Sequence, residues 1–456
     1  MGRPPVTPSG NRSAALPRTL VLGHAGPWDH GTGRTFAQLF QGWPSERLAL
    51  AACHAEPGRS GLFGTAFSFG PDALPWVWPL SLVPRSGPRS GVLSPDRGEH
   101  SPAVPPATRP AAHGIARALR RGLNAVCHED ALHRIRLPEG FFQWLESFRP
   151  QVVYALFSTL QSMELVRQVT ARCRAALVVH MMDDWPEVVY RRTLATPLMR
   201  AVALRKLRRL MKTAAARLAI CDAMKEEYEA RYNLPFESFH SPVDLDAFAP
   251  HARTRWTSAG PIVVRYGGRV GTGISSSLLD VAGAVALLRA RGLGIRLDVV
   301  THCSEDPVAR ALASMDAVSV RPPVPQEELP SALAAADILV IPYDFDEEAV
   351  RFVRYSMPTK TAESMASGTP VMVYAHPDTA VARYALVEGW AEVVTTPGST
   401  SVATALERLS NDPERRKSLA LKALAVAKAR HGADQVRTAF RSVLAGAAGI
   451  LPQDAP

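Results

Sequence analysis

Two successive series of strand-length apolar runs, each alternating with segments of helical periodicity, constrain this chain more than any other feature. Such alternation is the pattern of parallel sheets joined by crossover helices. The first series opens with a strand from Thr19 to Gly23, turns through Gly31 to Gly33 and continues as a helix from Arg34 to about Gln41. Later strands are predicted from Leu48 to Ala52, Val152 to Phe157, Ala176 to His180 and Arg217 to Ile220. The second series restarts at Pro261 with Ile262 to Tyr266, a Gly-rich turn, and a helix from about Ser276 to Arg291. Its strands continue at Ile295 to Val300, Ala317 to Val320, Ile338 to Pro342, Pro370 to Tyr374 and Ala391 to Thr395. Two amphipathic helices, Pro413 to His431 and Asp434 to Leu444, close the chain and split near Gly432.

A chain of 456 residues is too long for one ordinary core and suits two domains of roughly 200 residues each. The reading is therefore α/β, with two Rossmann-like domains facing a cleft. Residues 1–17 form a loose tail, 18–245 the first domain, 246–260 a linker and 261–431 the second domain. Residues 432–456 supply a helix returning to the first domain, and a tail. Between Pro71 and Pro110 the density of Pro, Gly, Ser and Arg excludes helix and central strand. That stretch reads as an insertion on the surface, either partly disordered or a cover over the cleft.

With 46% hydrophobic and 21% charged residues the chain can bury a sizeable core. The tail lacks the apolar run of a secretory signal, and no segment approaches the ~18 apolar residues of a membrane-spanning helix. Cys53, Cys127, Cys173, Cys221 and Cys303 show no CxxC spacing, so a zinc site or disulfide framework is not indicated and a reducing cytoplasm fits best. The net charge of +10 attracts phosphates, whether of nucleic acid, anionic lipid or a nucleotide. No zinc finger, RNP-like aromatic motif or helix-turn-helix is present in the sequence, and no nucleic-acid partner is expected.

The most informative stretch runs from Ser356 to Val371 and places a helix start after one strand and a new strand after Gly368. Pro358 or Thr359 can open that helix. Free backbone N–H groups and the helix dipole there suit a diphosphate, and Lys360 adds a full charge. Glu363, one turn further on, can accept hydrogen bonds from two neighbouring ribose hydroxyls. An ordinary surface helix with Glu363 solvated is the alternative reading of these residues.

Pro358, Lys360, Glu363, Ala366, Gly368, Pro370 and Val371 resemble the donor-binding signature of GT-B glycosyltransferases of the family-4 type, the glycosyl transferase group 1. Ser241-Pro-Val-Asp244 with Phe248 resembles the segment before the interdomain linker of that family, and Tyr266-Gly267-Gly268-Arg269 its arginine-bearing turn. The resemblance implies a GT-B fold and an enzyme that moves a sugar from a nucleotide-sugar donor to a glycan or lipid-linked acceptor, usually with retention and without a metal. It places Gly267, Gly268, Arg269, Pro358, Thr359, Lys360 and Glu363 at the donor, with Arg269 and Lys360 stabilising the departing nucleoside diphosphate. No cofactor is implied. Two positions depart from the pattern: Tyr355 stands where the paired-glutamate form has its other Glu, and Ser275 where a lysine often follows the arginine. Lys360, Arg351 or Arg354 is the candidate replacement for that lysine charge.

On the first domain, the turn from Gly23 to Arg34 lies after the first strand, where open α/β sheets bind ligands, and puts Gly31 and Gly33 near acceptor or donor phosphates. His180 ends an apolar strand, in a region where a histidine recurs in similar enzymes, and is followed by Asp183 and Asp184; the histidine is also a catalytic candidate. All three are acceptor-side candidates; a core histidine and a helix N-cap before Pro186 are the alternatives. Asp344-Phe-Asp346 and Asp244-Leu-Asp246 formally match a metal-holding Asp-x-Asp but read as loop acids. A basic amphipathic helix from about Arg200 to Ala216, with Arg205, Lys206, Arg208, Arg209 and Lys212, suits peripheral contact with an anionic membrane or a plain Rossmann helix. The function expected is a cytoplasmic glycosyltransferase of cell-envelope or exopolysaccharide synthesis, free in the cytoplasm or working at the inner face of the membrane. A catalytically silent sugar-nucleotide-binding scaffold and a GT-B sugar-nucleotide epimerase are the competing readings; the turn from Gly268 to Gly273 does not spell the fingerprint of a nicotinamide-dependent dehydrogenase.

Overall fold

The computed structural model describes residues 16–23, 31–53, 55, 61–77, 87–93, 133–156, 158–191 and 195–450. Two sheets carry the fold. The first contains β1 (Thr19–Leu22), β2 (Leu48–Cys53), β3 (Thr65–Phe69), β4 (Gly91–Leu93), β5 (Val152–Ala155), β6 (Ala176–Met181), β7 (Ala216–Ala219) and β8 (Glu237–Ser238), in the order β4-β3-β2-β1-β5-β6-β7-β8. The second contains β9 (Ile262–Gly267), β10 (Ile295–Val300), β11 (Val318–Arg321), β12 (Ile338–Pro342), β13 (Val371–Tyr374) and β14 (Ala391–Val394), in the order β11-β10-β9-β12-β13-β14. Every pairing is parallel except β3 with β4. Central strands such as β1, β12 and β13 are buried along their whole length, the mark of a sheet covered by helices on both faces. Two Rossmann-like α/β domains are thus what the alternation of apolar runs specifies.

The sequence reading missed β3, β4 and β8. Gly91–Leu93 lies inside the Pro-rich stretch and pairs antiparallel with β3 at the sheet edge, where neighbouring prolines cost no ladder bond. The rest of that stretch, residues 78–86 and 94–110, and the turn residues 24–30 lie outside the described residues.

The chain crosses between the domains twice, and the crossings run side by side: the Val243 N–H donates to His431 O (2.8 Å) and the Ala433 N–H to Val243 O (3.0 Å). After Gly432 the Ala433–Ala447 helix packs on the N-terminal domain, with Phe440 edge-on to Phe40 and Tyr154. On the outward crossing, Arg253 pairs with Asp337 (2.5 Å) and Trp256 Nε1 donates to Gly368 O (3.0 Å). Gly368 has φ +70°, and a Cβ there would meet the Arg253 backbone at 2.9 Å. Only glycine lets the crossing strap down beside the Lys360–Ala366 helix.

Candidate functional site

Both sheets reverse strand order once, between β1 and β5 and between β9 and β12. The crevice outside the carboxyl ends at such a point is where open α/β sheets bind ligands. In the C-terminal domain β9 runs there through Gly267 into Gly268 and Arg269. A Cβ on Gly268 would lie 2.8 Å from both Lys360 Nζ and the Tyr266 hydroxyl, so the turn has room only for glycine. The Tyr266 hydroxyl donates to Arg269 O (2.5 Å), which fixes the turn, and the exposed Arg269 guanidinium donates to Thr272 O (2.8 Å).

The Lys360–Ala366 helix begins later than Pro358 and Thr359, the starts read from sequence. Thr359 is the N-cap but makes no side-chain cap bond, and Pro358 O accepts from the Thr361 N–H (3.0 Å). Both are half-buried and shape the approach to Lys360. Lys360 Nζ donates to Gly267 O (3.1 Å) and lies 4.1 Å from the centre of the Tyr266 ring. Burial, and secondly the charge of Arg269, bring its pKa down to about 7. Of the candidates to replace the lysine absent at Ser275, Lys360 is the one beside Arg269. Arg351 is paired with Glu347, and Arg354 with Asp378 (3.5 Å). Glu363 is buried and not solvated; burial raises its carboxyl pKa and the charge of Arg34 opposes that rise.

Across the cleft, Asp183 accepts a hydrogen bond from Ser356 Oγ of the C-terminal domain (2.9 Å) and feels the charge of Arg269, while burial raises its pKa. Asp184 stands at the N-cap of the Trp185–Val188 helix, before Pro186, but its side chain makes no cap bond. Its carboxylate, 1% exposed, accepts from the Tyr228 hydroxyl (2.8 Å) and from Arg231 (3.0 and 3.3 Å), which makes it a scaffold residue of the N-terminal domain. His180 is likewise enclosed: its Nδ1 shares a hydrogen bond with the Tyr154 hydroxyl (2.5 Å), its Nε2 has no hydrogen-bond partner among the described residues, and burial lowers its pKa to about 3. Burial thus favours the neutral imidazole at this position. Gly31 opens the Gly31–Leu39 helix at φ +56° and is exposed, while Gly33 is buried one turn-fraction later.

Sequence reasoning missed Arg34, which follows Gly33 in the first turn of that helix and forms an ion pair with Glu363 across the cleft. A cation in the first helical turn after a Gly-rich loop was the available signal. Tyr355, in the place of the other glutamate, turns to the N-terminal domain: its hydroxyl donates to Glu227 (3.1 Å) and its carbonyl accepts from Cys221 Sγ (3.3 Å). Among the described residues no group of three or more His, Cys, Asp or Glu could hold a metal ion. In the Asp-x-Asp pairs, Asp344 accepts from the Ser277 N–H, Asp346 from the Ala349 N–H and Asp244 from the Ala247 N–H.

Residues 263–412 match the family model of the glycosyl transferases group 1. No curated protein matches the chain. Among solved structures, HepE from Anabaena in complex with UDP is 12% identical over 94% of this chain and 99% of its own, with a TM-score of 0.59. Sucrose-phosphate synthase from Thermosynechococcus elongatus is 14% identical over 94% and 99%, with a TM-score of 0.60. WaaG, a glycosyltransferase involved in lipopolysaccharide biosynthesis, is 13% identical over 96% and 100%, with a TM-score of 0.52. At these identities the likeness shows the fold.

Proposed function

With a C-terminal domain of the glycosyl transferases group 1, the chain is a glycosyltransferase, and we propose that it moves a sugar from a nucleoside-diphosphate sugar held at Arg269, Lys360 and Glu363 to a glycan or lipid-linked acceptor. The observation that carries this reading is the pair of cations, Arg269 and Lys360, set at the open carboxyl edge of β9 with a buried carboxylate one helical turn away. Breaking the glycosidic bond to a nucleoside diphosphate builds negative charge on the leaving oxygens. Two preset cations stabilise that charge with little reorganisation. Glu363 gives the ribose hydroxyls an acceptor, and Gly267 and Gly268 let the diphosphate approach the backbone. Asp183, facing Arg269 from the other domain, stands on the acceptor side. Retention of configuration rests on the family-4 resemblance of the segment from Ser356 to Val371.

An acceptor from envelope or exopolysaccharide synthesis suits two further features. A cavity of ≈ 180 Å³ lies at the carboxyl ends of β1, β2 and β3, with an apolar floor including Ala52, Phe69 and Leu165 and a polar rim at Ser158 and Thr159. The Thr196–Thr213 helix buries Met199, Ala203, Leu207, Leu210 and Met211 and exposes Leu198, Val202, Arg205, Arg208, Arg209 and Lys212. An exposed face both apolar and basic is suited to an anionic lipid surface. No helix among the described residues is long and apolar enough to cross a membrane.

The test is a thermal-shift screen against UDP, GDP, dTDP, ADP, CMP and NAD, repeated with Glu363→Ala. A ligand at a hundredfold excess over Kd raises stability by about 2.7 kcal/mol. The HepE complex makes UDP the first probe. A shift with one nucleoside diphosphate, lost in Glu363→Ala, is the expected result; no shift with any nucleotide would sink the reading.

A further inference from the structure

Glu363 is a buried carboxylate, and among the described residues its one side-chain partner stands on the opposite domain. Arg34 reaches it from the first turn of the Gly31–Leu39 helix, bonding through one guanidinium nitrogen to Oε1. The two side chains are 20% and 8% exposed, so the pair is largely withdrawn from solvent although 329 residues separate its members. Among the described residues no other charged side chain acts on Glu363. The Val243 to Phe248 stretch packed on the same helix faces it with apolar residues, and the Pro413–Arg430 helix brings no charge to it.

We propose that Arg34 completes the ribose end of the donor site from across the cleft, as a positioning residue that orients and neutralises the Glu363 carboxylate while leaving its second oxygen to the ribose. The inference rests on the donor reading given above and adds to it a residue of the N-terminal domain.

Stereochemistry supports joint occupancy over competition. A carboxylate offers about four acceptor positions on two oxygens, and Arg34 takes one of them. Two ribose hydroxyls can donate to the remainder while the guanidinium stays in place. Without the cation, a carboxylate this deeply buried takes up a proton, because the charged form has lost its hydration. The protonated acid donates where an acceptor is needed, and its grip on a diol weakens. Ribose recognition in the C-terminal domain is therefore tied to closure against the N-terminal domain, since parting the domains removes Arg34 from Glu363.

The experiment titrates the nucleoside diphosphate selected by the screen, with UDP as first probe, and its 2′-deoxy form into the full chain by calorimetry at pH 6, 7 and 8. Wild type, Glu363→Ala, Arg34→Ala and Arg34→Lys are compared, with thermal unfolding to verify folding. Arg34→Ala should bind the ribonucleotide several-fold more weakly than wild type at pH 6, because losing the cation raises the Glu363 pKa further, and recover towards pH 8. Its preference for ribo- over 2′-deoxynucleotide should fall in parallel, and Arg34→Lys should restore both. Dividing by wild type at each pH removes the ionisation of the nucleotide phosphate. Arg34→Ala affinity equal to wild type at all three pH values would overturn the proposal, and so would tighter binding, which would make Arg34 a competitor of the ribose. A Glu363→Ala variant that binds like wild type would instead overturn the donor site itself, which separates the two failures.

Discussion

Nucleotide binding and proton binding should meet at Lys360. In the empty site burial, and then the charge of Arg269, hold this lysine at a pKa of about 7 instead of 10.5. A diphosphate brings opposite charge to the same place and favours the ammonium. Binding must then draw a proton from solution, in an amount set by how much of the free protein is neutral at Lys360. At pH 8 that fraction is about nine-tenths and at pH 6 about one-tenth, so uptake should rise from about 0.1 to about 0.9 proton per nucleotide between them. The sign follows directly: affinity is greatest below pH 7 and falls as pH rises, by up to about tenfold per unit, until the pKa of the complex is reached. For the empty chain the depressed pKa is a stability cost, fully present below pH 7 and relieved as pH rises from about 7 towards 10.5.

Calorimetric titration of the nucleoside diphosphate in buffer pairs of different ionisation enthalpy measures the uptake. Lys360→Arg is the control, because a guanidinium stays charged at both pH values and leaves only the proton exchange of the nucleotide phosphate. The difference between wild type and this variant should be small at pH 6 and close to one proton at pH 8. An equal difference at both pH values, or none at either, would refute the placement of Lys360 at the diphosphate.

Three further outcomes follow from the geometry. Gly268→Ala sets a methyl 2.8 Å from Lys360 Nζ and should cost about 1–3 kcal/mol through overpacking, with weakened nucleotide affinity, whereas Gly267→Ala meets nothing within 4 Å in the empty protein and should leave Tm near wild type while weakening affinity, because its methyl stands where the diphosphate approaches; thermal unfolding with and without nucleotide checks both. Asp184→Ala leaves Arg231 and Tyr228 without their partner and should destabilise the chain by about 3–5 kcal/mol in urea unfolding, at unchanged nucleotide affinity of the folded protein. Lost activity with unchanged stability would return Asp184 to the acceptor side. Reversing Arg205, Arg208, Arg209 and Lys212 to glutamate should abolish co-sedimentation with anionic vesicles, at about 1 kcal/mol per basic residue, without affecting nucleotide binding, and failure of wild type to sediment with such vesicles would end the membrane reading.

The sequence by itself determined whatever depends on neighbours along the chain. Apolar runs such as Ile338 to Pro342 and Val371 to Tyr374 have no soluble alternative to a buried strand, and the helices between them leave parallel pairing as the way to join them. The donor-side group was legible for the same reason: Lys360 and Glu363 share one short helix, and Gly267, Gly268 and Arg269 share one turn. The edge strand β4 was not legible, because Gly91–Leu93 is exposed on one side and pairs along one edge, so it leaves no apolar run to read. Side chains within one short segment also diverged in ways no local pattern distinguishes. His180, Asp183 and Asp184 are near neighbours, yet one is sealed against Tyr154, one reaches Ser356 across the cleft and one is bound by Arg231. Arg34 and Glu363 meet only because both sheets turn their carboxyl edges to the same cleft. Packing of two whole domains decided those partners, since the burial that gives a charge its partner is a property of the assembled surface and not of any stretch of chain.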